Sequence, residues 1–472
     1  MKRFLLPLVA IILAGVYMPL AAQTKGYCGT EVSEKQKSWL LDYVNNGKGA
    51  LQKSAANFYI PLYIHFVGTD EGTGFYGANQ MMEDICELNT QFAPAQMYFY
   101  LAGYDYIENT AWFDHANYGP GHTMMRQNNV DDVVNVYIVI NPAGNCGYFS
   151  PSRDGVAISK NCMGKTRTTF AHELGHFFSL PHPFNNVLGQ KEFVDGSNCS
   201  VGGDLFCDTR ADYLNTRWQC PYNGNTLDPK GMPYDPDGTL YMSYSNDACA
   251  NRFSPEQMDA MAFNINSQRL SLKGTPKDTM PTMQKVQRLF PLEGMPQKPT
   301  NAEFRWTSVP NAVGYVLQAS QISVFPGNLP LDVITTDTFY KATNLSDSRT
   351  YNWRVRPIYM GRTCGVNTFS DTGRFFTSKT AGVSSFSNAN EVKIYPNPSN
   401  GSKQVFIAFD KDVNTISKAD IYTIEGKNIT RLDLAKQSNK QYTMNISNLS
   451  TGIYFVNIAT ENGVYRQRLL VE

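Results

Sequence analysis

Three of the chain's six histidines fall within one short stretch, His172-Glu173-Leu174-Gly175-His176-Phe177-Phe178-Ser179-Leu180-Pro181-His182. On a helix, His172 and His176 are four apart and share a face, so both imidazoles can reach one ion. Glu173 then sits beside that ion without ligating it. His182 lies too far along to ligate from the same straight helix, so the chain must turn near Ser179. Pro181 cannot continue a helix and Pro183 biases His182 towards extended backbone, and both favour that turn. Three neutral nitrogens with one open position form the catalytic zinc arrangement. A structural zinc would want a fourth protein ligand, often Cys, and would leave Glu173 without a task. Incidental surface histidines are the plainer alternative, but so few histidines rarely fall into this spacing by chance.

The chain has 472 residues, too many for one core, and about two to four folded units are expected. Hydrophobic residues at 42% and charged residues at 17% indicate a globular chain. Lys+Arg and Asp+Glu are both 41, so no overall basic field exists to hold nucleic acid. Aromatic residues at 12% favour β-rich structure. Collagen, coiled coil and a polytopic membrane protein are excluded by the same composition.

Lys2-Arg3 followed by the apolar run Phe4 to Val16 and by Leu20-Ala21-Ala22-Gln23 reads as a signal peptide, residues 1–22. The run is short and proline-broken for a membrane anchor, and no later segment spans a bilayer, so no transmembrane segment is expected in the mature chain. The nine cysteines (28, 86, 146, 162, 199, 207, 220, 249 and 364) therefore reach an oxidising place. An odd number leaves at least one free or intermolecular.

Residues 23–56 read as a pro-segment, with helix-like stretches such as Glu34 to Val44 and a flexible Asn45-Asn46-Gly47-Lys48-Gly49. Residues 57–273 read as an α/β unit: strands at Tyr59–Val67, Met97–Ala102 and Val133–Ile140, the last expected at the centre of a sheet, and helices at Ala78–Phe92 and Arg167–Ser179. A Pro/Lys/Thr-rich linker, Gly274 to Lys285, leads to residues 286–378, where period-two segments suggest a β-sandwich. A Ser/Asn-rich hinge, Gly382 to Asn390, introduces the strand-rich residues 391–472. The fold class is thus multidomain, an α/β catalytic domain followed by two all-β sandwich domains.

The zinc stretch is followed by Tyr241-Met242-Ser243-Tyr244 and then Asp247-Ala248-Cys249-Ala250-Asn251-Arg252-Phe253-Ser254-Pro255-Glu256-Gln257. Together with Gly203-Asp204-Leu205-Phe206-Cys207-Asp208-Thr209, these motifs resemble the pappalysin (cytophagalysin-type) branch of the metzincin metalloproteases over roughly residues 57–270. The resemblance implies zinc on His172, His176 and His182, Glu173 as general base, Met242 as a hydrophobic floor, and Tyr244 as a hydrogen-bond donor near the metal. Most metzincins have Gly where Ser179 stands, and a left-handed turn there costs a non-Gly residue roughly 1–2 kcal/mol. Either the turn differs in shape or a functional site tolerates the strain. The resemblance favours pairing Cys220 with Cys249. Cys199–Cys207 and Cys146–Cys162 are further guesses, since sequence does not fix connectivity. Asp204 and Asp208 are candidates for calcium, which some relatives carry, against the plainer reading as turn formers.

Two more resemblances concern the rest of the chain. Trp306, Leu345 and Tyr351-x-Trp353-x-Val355 resemble fibronectin type III domains. Lys393-Ile394-Tyr395-Pro396-Asn397-Pro398, Ala419 to Lys427 and Leu449 to Val456, in that order, resemble the C-terminal sorting domain of type IX secretion substrates. That implies the type IX machinery as a partner and a secreted or cell-surface destination.

The expected function is a secreted zinc endopeptidase acting on proteins or peptides; a surface adhesin using the protease fold as scaffold is the alternative. In some relatives an acidic residue just before the cysteine after the methionine turn selects Arg or Lys. Ala248 stands there and Asp247 one place earlier, which implies a weak basic preference at best. Cys28, in Gly26-Tyr27-Cys28-Gly29-Thr30, can fill the open zinc position as a thiolate and hold the full-length protein latent. Gly29 is expected to let the backbone pass close to the metal. Cys-Gly-Thr at this place also resembles the latency motif of pappalysin-type proenzymes. The alternative is an ordinary disulfide from Cys28 to Cys86 or Cys364.

Overall fold

The computed structural model describes residues 26–52, 57–274, 284–327, 329–359, 369–379, 392–413, 416–424, 427–431, 434–460 and 463–472. The signal segment, most of the linker, the Ser/Asn-rich hinge and Cys364 lie outside these residues.

A six-stranded sheet organises the first unit. Its strands are β1 (Gly26–Cys28), β2 (Phe58–Gly68), β3 (Met97–Glu108), β4 (Val134–Val139), β5 (Asn145–Ser150) and β6 (Gly155–Ser159), in the order β1-β5-β6-β4-β2-β3. All neighbours run parallel except β5 and β6, which are antiparallel. Every residue of β4 is buried, as a nearly all-apolar strand with neighbours on both sides should be. β3 runs past its expected end at Ala102, because Gly103 to Glu108 continue to pair along Tyr63 to Gly68 of β2. β5 and β6 had no clear sequence signal. They are short, and β6 is buried throughout, so no alternation marks it.

Among the described residues five α-helices of nine or more residues accompany the sheet: α1 (Glu34–Asp42), α2 (Ala78–Phe92), α3 (Tyr118–Asn128), α4 (Thr169–Phe177) and α5 (Pro255–Ser267). Met81, Met82, Ile85, Leu88 and Phe92 recur at helical spacing on α2 and enter the main core. Ser254 and Gln257 form a capping box that starts α5. All nine residues of α4 are buried, so this helix lies inside the core.

The segment before β2 is folded onto this unit. Trp39, Leu40 and Tyr43 join the main core. The stretch expected to be flexible is pinned instead: Tyr43–Gly47 forms a π-helical turn, and the Asp259 carboxylate accepts from Gly49 N at 2.8 Å and Leu51 N at 2.7 Å. The sequence could not show this, because Asp259 lies on α5, far along the chain.

Residues 286–378 contain two sheets. Met295–Gln297, Gly373–Thr377, Thr350–Tyr359, Ala312–Ser320 and Leu331–Thr335 form one, in that spatial order; Phe339–Ala342, Ala302–Trp306 and Arg288–Phe290 form the other. Trp306, Tyr351, Trp353 and Phe375 fill their shared core. This unit docks on α2 and β3: Asp332 accepts from Asn79 N at 3.1 Å, Arg356 donates to Asn79 Oδ1 at 2.9 Å, and Ile334 N donates to Tyr106 OH at 3.1 Å. The C-terminal unit has two four-stranded sheets around Val405, Ile407, Ile421, Met444, Val456, Ile458 and Leu469. Among the described residues no helix is long and apolar enough to cross a membrane.

The Asp259 contacts make a prediction. Asp259→Ala leaves two backbone donors without their acceptor, at about 1 kcal/mol or more each. Limited proteolysis between residues 43 and 57 should then speed up by about tenfold or more; an unchanged rate would show that Asp259 does not hold this segment.

Candidate metal centre

The histidine cluster is fixed by what each ring donates. His172 Nδ1 lies 2.7 Å from the Tyr241 carbonyl oxygen, and His176 Nδ1 lies 2.8 Å from that of Leu180. His182 Nδ1 is 3.1 Å from Asn185 Oδ1. Carbonyl and amide oxygens only accept, so each Nδ1 carries the proton and each Nε2 presents a lone pair. Those lone pairs converge, with His176 Nε2 at 3.2 Å from His172 Nε2 and 2.9 Å from His182 Nε2. No proton is left to link them, so the arrangement is repulsive without a cation among the three nitrogens. Nitrogens about 2.0 Å from a tetrahedral zinc stand roughly 3.3 Å apart, close to the spacing seen. The donor set therefore fits zinc. Burial also keeps the imidazoles neutral: His172 is pushed down to about 4, and His176 and His182 well below the usual histidine range.

The backbone that brings His182 back is strained. Ser179 has φ 71°, the left-handed region, and its N–H donates to His176 O at 2.8 Å while Leu180 N donates to Gly175 O at 2.9 Å. Gln36 Nε2 donates to Ser179 O and Asn264 Nδ2 to Ser179 Oγ, both at 3.0 Å, so neighbours hold the residue where glycine is usual. Below the helix, a Cβ on Gly175 would stand 2.3 Å from Met242 Sδ. Only glycine lets the methionine approach so closely.

Cys28 joins the three histidines: one donor atom from each of the four residues lies within 4.8 Å of the others. Its thiol is free, which removes a disulfide to Cys86 or Cys364. β1 delivers it by pairing with β5, with Cys28 opposite Gly147 and Gly29 N donating to Gly147 O at 3.0 Å. The expected reason for Gly29 needs correcting. A Cβ there would meet Tyr118 OH at 2.3 Å and Asn145 Nδ2 at 2.6 Å, so α3 and β5, and not a metal, exclude a side chain.

Glu173 is fully buried, and burial pushes its carboxyl up to about 8. Its Oε2 accepts from Thr30 Oγ1 at 3.3 Å and lies 3.6 Å from Cys28 Sγ, while Oε1 has no partner among the described residues. The Tyr244 hydroxyl donates to the Cys28 carbonyl oxygen at 3.1 Å. Asn185, Thr30 and Tyr27 belong to this site; the sequence assigns no role to Asn185, and Tyr27 and Thr30 stand in it only as neighbours of Cys28. A local signal for Asn185 exists in the sequence, since Asn side chains readily bond backbone and side chains a few residues away.

Disulfides join Cys146–Cys162, Cys199–Cys207 and Cys220–Cys249, and Cys86 is also disulfide-bonded. The aspartates considered for calcium have other work. Asp204 accepts from Phe206 N and Thr209 Oγ1, and Asp208 accepts from Ser254 Oγ and Glu256 N at the start of α5. Among the described residues the Cys28/His172/His176/His182 group is the metal-donor cluster found, so calcium has no support.

Comparison with known proteins bears on both ends of this chain. Residues 154–266 match the family model for pregnancy-associated plasma protein-A peptidases, and residues 393–472 match that for the secretion system C-terminal sorting domain. An extracellular metalloprotease of Verticillium alfalfae is 26% identical over 234 residues, covering 44% of this chain and 78% of the relative. One of Arthroderma gypseum is 28% identical over 279 residues, covering 54% and 87%. The chain thus carries a metalloprotease domain and a type IX sorting domain, and both support export. For the middle unit, the crystal structure of FN3tt aligns at 17% identity over 21% of this chain and 99% of that chain, with a TM-score of 0.16. Chicken CNTN1 FN1-FN3 domains align at 12% identity over 41% and 68%, also at 0.16. Scores this low do not decide the fold.

Asn185→Ala frees the His182 ring to rotate and leaves its Nδ1 proton unpaired. Zinc affinity should fall about 10–100-fold, measured by competition with a chelator. Unchanged affinity would show that Asn185 does not orient the ligand.

Proposed function

We propose that the protein is a secreted zinc endopeptidase, held latent by its own Cys28. The observation that carries this reading is the convergence of three Nε2 lone pairs beside a buried carboxylate, with the Cys28 thiol as a fourth donor atom near them. Zinc, when bound by His172, His176 and His182, polarises the peptide carbonyl and lowers the pKa of water.

The chain's own residues supply the rest. Glu173 Oε1, which has no partner among the described residues, takes the proton of the attacking water. The same carboxylate then passes that proton to the leaving amine. The Tyr244 hydroxyl already donates to a carbonyl oxygen, that of Cys28, and the same donor stabilises the oxyanion as charge develops on a substrate carbonyl. Both tasks are blocked in the full-length chain. Cys28 Sγ stands among the histidine donors and 3.6 Å from Glu173 Oε2, the Cys28 carbonyl oxygen takes the Tyr244 hydroxyl, and β1 covers the free edge of β5, so a substrate has no room at either group.

This is a metzincin reading of residues 57–273, and removal of the segment before about Phe58 is its activating step. Residues 286–378 are read as fibronectin type III-like, on the buried Trp306, Tyr351, Trp353 and Val355. Residues 391–472 are read as the part handed to the type IX machinery.

Casein hydrolysis by the zinc-loaded chain, after its pro-segment has been cut off, tests the enzyme reading. Phenanthroline should abolish it, and Glu173→Ala should lower it about 10²–10⁴-fold while zinc stays bound. Zinc-loaded protein that cleaves nothing in a broad peptide library contradicts the reading. Latency has its own test. Cys28→Ala in a cleavage-resistant proenzyme should hydrolyse small peptides that the parent leaves intact; equal silence of both would remove the thiol from the switch.

A further inference from the structure

Next to Cys28, the side chain of Tyr27 fills a built pocket beside the metal donors. Only 7% of the residue is exposed. Its ring meets His172 edge-on at 5.0 Å and Tyr244 edge-on at 5.1 Å between centroids. The Arg217 guanidinium lies over the ring face, 4.0 Å from its centroid. Thr168 Oγ1 donates to Asp247 Oδ1 at 2.8 Å, so it is free to accept from the Tyr27 hydroxyl at 3.3 Å.

The charges around this pocket are already spoken for. Asp247, whose side chain is 10% exposed, pairs with Arg167 at 3.1 Å and Arg217 at 3.3 Å and also accepts from Thr168 N. Arg217 donates as well to the Ser245 carbonyl oxygen. An entering Lys or Arg would therefore find a satisfied carboxylate and meet the Arg217 cation face to face. An entering Asp or Glu would be desolvated between the Glu173 and Asp247 carboxylates. A neutral aromatic ring meets neither penalty. Its face suits the guanidinium, its edges suit the rings of His172 and Tyr244, and a phenol hydroxyl finds Thr168.

Cys28 stands where a reacting group must come, and Tyr27 is one residue away on the same strand. We propose that the Tyr27 pocket, once the pro-segment leaves, is the subsite that selects an aromatic side chain, Tyr or Phe, on a substrate residue flanking the scissile bond, with Arg217 as the residue that sets the preference. The inference rests on the peptidase reading above, and extends it to the class of substrate.

Two readouts separate this proposal from that reading. Cleavage sites in an unbiased peptide library are mapped with the zinc-loaded chain after its pro-segment has been cut off. Tyr and Phe should be enriched at one flanking position, with kcat/KM about 10–100-fold above Arg or Lys there. Arg217→Ala should narrow the ratio of kcat/KM between matched Tyr and Ala substrates. In parallel, calorimetry measures binding of a peptide with the Gly26–Thr30 sequence, which needs no turnover. Its Tyr27→Phe form should bind nearly as well as the parent sequence, and its Tyr27→Ala and Tyr27→Arg forms about tenfold or more weakly. Cleavage without aromatic preference, or with a basic one, overturns the subsite and leaves the peptidase reading intact. No cleavage together with Tyr-dependent binding overturns the peptidase reading and supports the pocket's selectivity. Binding indifferent to the residue at this position overturns the subsite.

Discussion

The site depends on where three imidazole protons go. Tyr241 O, Leu180 O and Asn185 Oδ1 each hold one Nδ1–H, and that forces three Nε2 lone pairs towards one point. Two of those acceptors are backbone carbonyls placed by the fold itself. The Tyr241 carbonyl belongs to the turn that carries Met242, and the Leu180 carbonyl follows the left-handed Ser179. The turn under α4 and the break after it thus both aim ligands, besides packing against the helix. Gly175 makes this possible by letting Met242 lie against the helix backbone.

The short β1 strand brings three side chains to the same place. Pairing with β5 sets Cys28 towards the histidines and, with Gly29 N bonded to Gly147 O, carries Thr30 to Glu173 and to the backbone of Phe149. Tyr27 is carried to the pocket between His172, Tyr244 and Arg217. Such a three-residue strand has few bonds of its own to keep it there. Its hold comes from the following segment, where Leu40 and Tyr43 enter the core and Asp259 pins the backbone beyond them. The placement of Cys28 and the folding of this segment are therefore coupled through one continuous stretch of chain.

What could be read in advance was local. The spacing of His172, Glu173 and His176 sets one helix face, and Pro181 and Pro183 argue for the turn before His182, because these rules act within a few residues. The apolar run at β4 was legible for the same reason. Contacts between distant positions were not. Asp259 gave no sign that it would hold Gly49 and Leu51. The need for glycine at position 29 was attributed to the metal, whereas Tyr118 and Asn145 exclude a side chain there. Asp247 could be seen to stand one place off an acidic specificity position, but not that Arg167, Arg217 and Thr168 would take up its carboxylate. β5 and β6 carry no alternation to read: both are short, β6 is buried throughout, and the last four residues of β5 are buried in a row.

Zinc K-edge X-ray absorption on the full-length, zinc-loaded chain tests the central claim most directly. Coordination by His172, His176, His182 and Cys28 predicts about three nitrogens near 2.0 Å and one sulfur near 2.3 Å. The sulfur shell should vanish in Cys28→Ala while the nitrogen shell stays. A spectrum of the full-length chain without sulfur, or one that Cys28→Ala leaves unchanged, would contradict the account.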